Sequence, residues 1–131
     1  LEKTDVLLNY ETERRWRDAV EQGDFQMARR GISQMSKGEF FYRTPDNPLR
    51  SQKNLLFTVN TICRIAAVDG GADVVRVHEI SDLFAIRIEQ ARSGLETTML
   101  EEEMLRAYCQ IVMETKTRGH SAPVAKAIQY M

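Results

Sequence analysis

The chain has 131 residues, of which 43% are hydrophobic and 28% charged, a balance typical of one folded domain and not of a disordered segment. Its net charge of −1 argues against a domain whose main task is to hold nucleic acid, because such domains usually carry a strong basic excess. The apolar runs are too short to predict a membrane-spanning helix.

The cysteines and the two ends of the chain indicate the cellular compartment and the extent of the protein. Cys63 and Cys109 are the only cysteines, so no disulfide framework is expected and a reducing, cytoplasmic location fits. The first residues lack a basic region followed by an apolar core, so no signal peptide is expected. The sequence starts at Leu1 without a methionine and stops at Met131 inside a helical pattern, so we expect a piece of a longer protein.

The first elements in chain order are two helices. A helix is predicted from Thr4 to Gln22, ended by Gly23 in a left-handed conformation. Asp24 is then the predicted cap of a second helix, which Lys37-Gly38 closes. The predicted apolar faces contain Val6, Tyr10, Trp16, Ala19 and Val20 in the first helix, and Phe25, Ala28, Ile32 and Met35 in the second. The short break favours an antiparallel hairpin.

Residues 39–46 break the helical period and are predicted to form a loop. Phe40, Phe41 and Tyr42 are consecutive aromatic residues there. We favour their packing against the core, because an exposed aromatic run is a liability without a partner. A stacking or ligand-binding surface is the alternative.

A long helical hairpin is predicted over residues 48–92. Asn47 is a capping residue and Pro48 suits the first helical position, so the third helix starts there and runs to about Val68. Gly70-Gly71 stops it, and Asp73 caps a fourth helix. The predicted inward residues are Leu49, Leu55, Leu56, Val59, Ile62, Cys63, Ala66 and Ala67 in the third helix, and Val77, Ile80, Leu83, Phe84, Ile88 and Ala91 in the fourth.

The remaining pattern is also helical. A fifth helix is predicted from Leu95 to Thr117, followed by a break at Arg118-Gly119-His120 and a sixth helix capped by Ser121. No stretch alternates long enough to predict a strand. The expected fold is therefore all-α, a single domain over residues 1–131 built as a bundle of about five to six mostly antiparallel helices.

The sequence offers little catalytic chemistry. His78, His120, Cys63 and Cys109 show no metal-ligand spacing, and neither cysteine has a histidine within helical reach. No glycine-rich phosphate loop is present, because Gly70-Gly71 lacks further glycines and a lysine. We expect no enzyme, no metal site and no cofactor.

Polar residues within the long hairpin are the remaining candidates for a specific structural or regulatory role. Arg64 lies among apolar neighbours, so we predict that it pairs with Asp82, because an unpaired buried charge is too costly. Lys53 is predicted to pair with Glu89 or with a carboxylate of the fifth helix. These pairs either fix the helix register, which we favour, or line a regulatory pocket. The candidate network comprises Lys53, Asn54, Arg64, Ser81, Asp82 and Glu89.

The same hairpin resembles a known family. Its motifs, in their order, are similar to the region just upstream of the DNA-binding domain in AraC-type (AraC/XylS) bacterial transcriptional regulators. The chain departs from that pattern at Ile65 within the Arg-Ala-Ala run, at Val74-Val75 where a proline is usual, and at His78 where an aromatic is usual. The matching residues are Pro48-Leu49-Arg50, Lys53-Asn54, Thr61, Arg64, Ala66-Ala67, Gly70-Gly71, Ile80-Ser81-Asp82 and Ile88-Glu89.

The resemblance implies a regulatory or dimerisation domain of a transcription factor. DNA would be read by a helix-turn-helix domain beyond Met131, with residues 121–131 beginning the linker helix to it. The implied partners are DNA through that domain alone and a second copy of the chain. The alternative function is sensing of a small-molecule effector, in a pocket between helices three, four and five near Arg64, Asp82 and Tyr108.

Overall fold

The computed structural model describes residues 3–35 and 45–121. These residues form five helices and contain no strand, which confirms the predicted all-α class. None of these helices is long and apolar enough to cross a bilayer. The helices are α1 (Lys3–Gln22), α2 (Phe25–Ser33), α3 (Pro48–Asp69), α4 (Val74–Gln90) and α5 (Gly94–Ser121).

Side-chain caps start three of the helices where the sequence predicts them. In each case a side-chain oxygen accepts a hydrogen bond from the backbone N–H three residues later. The distances are 3.1 Å at Asp24, 3.0 Å at Asn47 and 2.9 Å at Asp73. Because each cap satisfies an N–H that has no partner within its helix, these boundaries follow from local sequence alone.

Two glycines shape the turns between helices. Gly23 has a φ of 77°, so α1 ends in the left-handed conformation that the sequence predicts. Gly70 serves a different purpose, because a Cβ atom there would collide with the backbone carbonyl of Glu21. The end of α3 can therefore lie directly against the end of α1.

The second helix is shorter than predicted. It ends at Ser33 with Gln34 as its C-cap, ahead of the predicted stop at Lys37-Gly38. The predicted loop with Phe40, Phe41 and Tyr42 lies mostly outside the described residues, so its packing stays a prediction.

The fifth helix is longer than predicted. It continues through Arg118-Gly119-His120 to Ser121, so the predicted break is wrong and Ser121 is not the cap of a new helix. One glycine inside a helix costs only about 1 kcal/mol relative to alanine, too little to end a long helix. The rest of the predicted sixth helix, residues 122–131, lies outside the described part of the chain.

The helices run alternately up and down. The last turns of α5 and α1 meet, since Lys116 Nζ donates to the backbone oxygen of Gln22 at 2.8 Å. The first turns of α5 and α3 also meet, since Thr97 Oγ1 donates to Gln52 Oε1 at 2.9 Å. Helices α1, α3 and α5 are therefore parallel, and the short connections reverse α2 and α4 between them.

The core contains most of the residues predicted to face inward. Three predictions are wrong: Val6 and Tyr10 of α1 and Leu83 of α4 are 51%, 59% and 62% exposed. Each has a helical spacing compatible with burial, but none of the other described helices covers it. The largest fully buried side chains are Trp16, Tyr108, Ile32, Ile88, Met104, Leu105, Val20, Val59, Val77 and Val112.

Candidate functional site

The polar residues of the long hairpin form two separate groups, one at its open end and one at its middle. At the open end, Arg50 Nη1 lies 3.2 Å from both carboxylate oxygens of Glu89. Lys53 Nζ donates to the backbone oxygen of Glu89 at 2.6 Å. Glu89 lies in the last turn of α4, so one residue receives two cations from the start of α3.

The surroundings of Arg50 hold its guanidinium in place. Arg50 Nε donates to Asn54 Oδ1 at 3.0 Å, and the guanidinium lies 5.8 Å from the centre of the Phe57 ring. The hydrogen bond from Arg50 lowers the pKa of Glu89 from its usual range. We name Arg50, Lys53, Asn54 and Glu89 the clasp.

The clasp differs from the predicted network in one respect. Sequence reasoning paired Lys53 with Glu89 or with a carboxylate of the fifth helix, whereas the carboxylate of Glu89 bonds Arg50 and Lys53 reaches the backbone oxygen of Glu89. Both the carboxylate and the backbone oxygen of Glu89 are therefore bonded. The Lys53 ammonium satisfies a carbonyl at the C-terminus of α4, and the planar Arg50 guanidinium matches the carboxylate. The clasp therefore joins the open end of the hairpin.

The second group is buried at the middle of the hairpin. Tyr108 of α5 donates its hydroxyl hydrogen to Asn60 Oδ1 at 2.6 Å. Asn60 Nδ2 in turn donates to the backbone oxygen of Ser81 at 2.9 Å and lies 3.3 Å from Ser81 Oγ. We name Asn60, Ser81 and Tyr108 the buried polar cluster, since it connects α3, α4 and α5 in one chain of hydrogen bonds.

Tyr108 has no surface left for a ligand. Its side chain is fully buried, and its ring lies 6.2 Å from the ring of Phe84. Burial raises the pKa of Tyr108 well above its usual range, so its hydroxyl stays protonated and acts as a donor at neutral pH. The predicted effector pocket is therefore not centred on Tyr108.

The predicted ion pair between Arg64 and Asp82 is not formed. Asp82 Oδ2 lies 3.6 Å from His78 Nε2, one turn away on the same exposed face of α4. Both Arg64 and Asp82 lie close enough to Tyr108 to influence its pKa, in opposite directions. Arg64 is half-buried and not fully buried, so solvent reduces the need for a carboxylate partner.

Two further ion pairs hold α4 against α5. Arg76 Nη1 lies 3.2 Å from Glu114 Oε2, and Arg87 Nη1 lies 2.8 Å from Glu103 Oε2. The hydrogen bond from Arg87 lowers the pKa of Glu103. One pair lies near the start of α4 and the other near its end. Together they favour one register of the two antiparallel helices α4 and α5.

A groove lies on the outside of this same helix pair. Its volume is about 310 Å³, and both apolar and charged side chains line it. It lies away from Arg64, Asp82 and Tyr108, the residues around which a pocket was predicted. The lining residues are Arg87, Gln90, Glu96, Met99, Leu100 and Glu103.

Sequence reasoning overlooked Asn60 and the role of Arg50. Asn60 is only 4% exposed and lies one helical turn from Leu56, on the buried face of α3. An amide at such a position needs hydrogen-bond partners, so its place in the apolar period was the available signal. Arg50 was noted only as part of a motif. Its partner Glu89 lies 39 positions further along the chain, and no local pattern reports such a contact.

The titratable groups of the described residues do not form a metal centre. No group of three or more histidine, cysteine, aspartate or glutamate side chains comes close enough together there to hold a metal ion. Burial raises the pKa of both Cys63 and Cys109, to about 12 for Cys109, so both thiols are protonated at neutral pH. The observed role of the clasp and of the buried polar cluster is to hold helices together.

The comparison with known proteins adds no relative. No family model, no curated protein and no solved structure matches this chain. Its fold and the contacts described above are therefore the observations on which a function can be argued.

Proposed function

We propose that this chain is a regulatory domain of an AraC-type transcription factor, which holds and orients a helix-turn-helix domain beyond Met131. The observation that carries the proposal is where the residues of the resemblance lie. Arg50, Lys53-Asn54 and Glu89 form the clasp, and Gly70 is at the opposite end of the hairpin where α3 meets α1. These short motifs lie at both ends and in the middle of one helical hairpin, where their residues hold its two helices together. A hairpin joined in this way suits a domain that orients another domain.

The chemistry of the buried groups supports a role without catalysis. The thiols of Cys63 and Cys109 and the hydroxyl of Tyr108 have raised pKa values, so none is an activated nucleophile or base at neutral pH. The net charge of −1 agrees with a domain that leaves DNA contact to another domain. In this proposal the protein is cytoplasmic, its DNA contact is indirect and it associates with a second copy.

The regulatory step would act through α4. This helix is joined to α3 by the clasp and to α5 by Arg76 and Arg87, and all of these pairs have exposed members. A helix held by exposed polar contacts can take a second position at small free-energy cost, which a bound effector or a partner domain could favour.

The test starts from the coding sequence beyond residue 131 and from DNA binding. We expect two helix-turn-helix motifs there, and a complete protein that binds duplex DNA specifically while the 131-residue chain does not. In the complete protein, Glu89→Gln should change the affinity for operator DNA, and Glu79→Gln on the same helix should not. A different downstream domain, or specific DNA binding by the 131-residue chain alone, would contradict the proposal.

A second candidate function is recognition of a small-molecule effector, and the groove between α4 and α5 favours it. The groove is lined by the apolar side chains of Met99 and Leu100 and by polar groups that include Gln90 and Glu96. This mixture suits a small ligand with an apolar body and a few polar groups.

The effector function is tested by adding metabolite mixtures to isotopically labelled protein. Chemical-shift changes confined to the amides of Gln90, Met99 and Leu100 would support it, and Met99→Glu should abolish them. Changes that instead cluster around Arg64 and Asp82 would move the site to the other face of α4.

A further inference from the structure

The start of α1 exposes large apolar side chains that none of the described helices covers. Thr12 is buried and Asn9 is half-buried, although both are polar. Four apolar side chains are nevertheless exposed, with fractions of 51% for Val6, 61% for Leu7, 54% for Leu8 and 59% for Tyr10. Leu7 and Tyr10 share the side away from Thr12, whereas Leu8 lies one turn before Thr12 on the same side. No other stretch of the described residues exposes four large apolar side chains within five positions. Such a concentration marks a surface that is covered in the working protein.

The exposed face continues beyond the apolar residues. Lys3, Leu7, Tyr10, Arg14 and Asp18 follow one another at intervals of three or four positions and are all exposed. Residues at this spacing share one face of a helix. The face therefore has a cation at its start, apolar residues next, then a cation and an anion.

This order of charges fits a second copy of α1 running in the opposite direction. If the two helices cross near Tyr10, Lys3 of one copy faces Asp18 of the other, and the crossing repeats this pair by symmetry. Arg14 then lies across from Leu7, one helical turn from the ring of Tyr10 and the carboxylate of Glu11 on the other copy, which its long side chain can reach. A parallel pairing would instead place Lys3 against Lys3 and Arg14 against Arg14, which is repulsive.

We propose that the start of α1 is a homodimer interface, in which two copies of α1 pack antiparallel about a two-fold axis near Tyr10. An isologous contact of this kind closes on itself, because each copy offers the same self-complementary face. It covers Leu7 and Tyr10, which the described helices leave exposed. The inference concerns the association of this chain and does not depend on the proposed control of DNA binding.

The first test is the mass of the chain in solution as a function of concentration, by sedimentation equilibrium. The wild-type chain should approach twice its monomer mass of 15.1 kDa as concentration rises. Leu7→Glu and Tyr10→Glu should each weaken association by about tenfold or more, since each buries a charge in the interface. Val75→Glu is the matched control, because Val75 is 66% exposed on α4 and its change should leave the mass unchanged.

The second test separates the antiparallel arrangement from any other. Lys3→Glu or Asp18→Lys alone should weaken association, and the two changes together should restore it. Mixed chains with Leu7→Cys and Arg14→Cys should give a disulfide between unlike chains, since Cys63 and Cys109 are buried and do not compete. Cross-links formed only between like chains would overturn the antiparallel pairing.

Two outcomes would overturn the interface itself. One is a wild-type chain that stays monomeric at every concentration. The other is a monomer whose unfolding midpoint falls on Leu7→Glu, since this would show that the apolar face is covered within its own chain. Neither result would affect the proposed control of DNA binding, because that proposal is tested separately by the downstream sequence and by DNA-binding measurements.

Discussion

Helices α3 and α4 are neighbours in one hairpin but are held in different ways. α3 has 22 residues and buries eight, whereas α4 has 17 residues and buries only Val77, Phe84 and Ile88. Four large apolar side chains of α4 face solvent instead: Val74, Val75, Leu83 and Ile86. The polar contacts of α4 lie on both of its flanks, with α3 on one side and α5 on the other.

The difference shows which forces fix each helix. Apolar burial holds α3, and this contribution is large and insensitive to salt. α4 depends more on exposed ion pairs, each of which stabilises a protein by about 0–1 kcal/mol. We therefore expect α4 to be the helix of the hairpin that is easiest to displace.

The largest effect should come from truncating an apolar residue of α3. Leu56 is 2% exposed, so Leu56→Ala should lower the free energy of unfolding by about 2–5 kcal/mol through lost burial and the cavity that remains. Leu83→Ala on α4 is the matched control and should change it by less than about 0.5 kcal/mol. Urea unfolding measures both. An equal loss from the two variants would show that Leu83 is covered in solution and that α4 has a buried contact there.

A smaller effect is expected in the buried polar cluster. Tyr108→Phe keeps the ring but leaves Asn60 Oδ1 without its donor, which should cost about 1–3 kcal/mol in unfolding free energy. Thermal and urea unfolding measure the loss, and Thr58→Val, which removes an exposed hydroxyl that donates to the backbone oxygen of Asn54, serves as the control. No loss in Tyr108→Phe would mean that water replaces the hydroxyl and that the cluster is not dry.

Ion pairs on the flank of α4 should contribute less still. Arg87→Gln removes the 2.8 Å pair with Glu103 and should lower the free energy of unfolding by about 0.5 kcal/mol at low salt. High salt should shrink the difference from wild type, because it screens exposed charges. Leu56→Ala should show no such salt dependence. An effect of Arg87→Gln that persisted at high salt would indicate lost packing on Phe84, whose ring lies 5.6 Å from the guanidinium.

The smallest expected effect is a pH dependence. Arginine hydrogen bonds lower the folded-state pKa of Glu89 and Glu103 below the usual 4.5, so their stabilising contribution is present above that pH. It is lost as the pH falls through the lowered values, because both carboxylates then become protonated. Glu103→Gln should reduce the loss of stability on acidification, measured as unfolding midpoint against pH. An unchanged acid profile would show that the pair with Arg87 is not populated in solution.

The buried polar cluster illustrates what one sequence can and cannot reveal. The sequence indicates Ser81 as part of a polar network and Tyr108 as part of a pocket, and it does not predict that the two residues belong together. The hydrogen bonds of Asn60 join them, and Asn60 itself is separated from Ser81 by 21 positions and from Tyr108 by 48. No periodicity reports such pairings, because they depend on how three helices are rotated about their own axes.

The clasp shows the same limit in a milder form. The sequence predicts that Lys53 meets Glu89 or a carboxylate of the fifth helix, and the structure brings Lys53 to the backbone oxygen of Glu89. Which cation meets the carboxylate of Glu89 does not follow from the sequence. Arg50 takes that place because Asn54 and the Phe57 ring position its guanidinium.

The sequence by itself determined the helix class and most of the helix starts. Capping residues such as Asp24, Asn47 and Asp73 act within a few positions, so local order is enough to read them. Only the tertiary structure decided which apolar residues are covered. Leu83 and Tyr10 occupy positions compatible with burial, and they stay exposed because burial depends on whether another helix lies opposite.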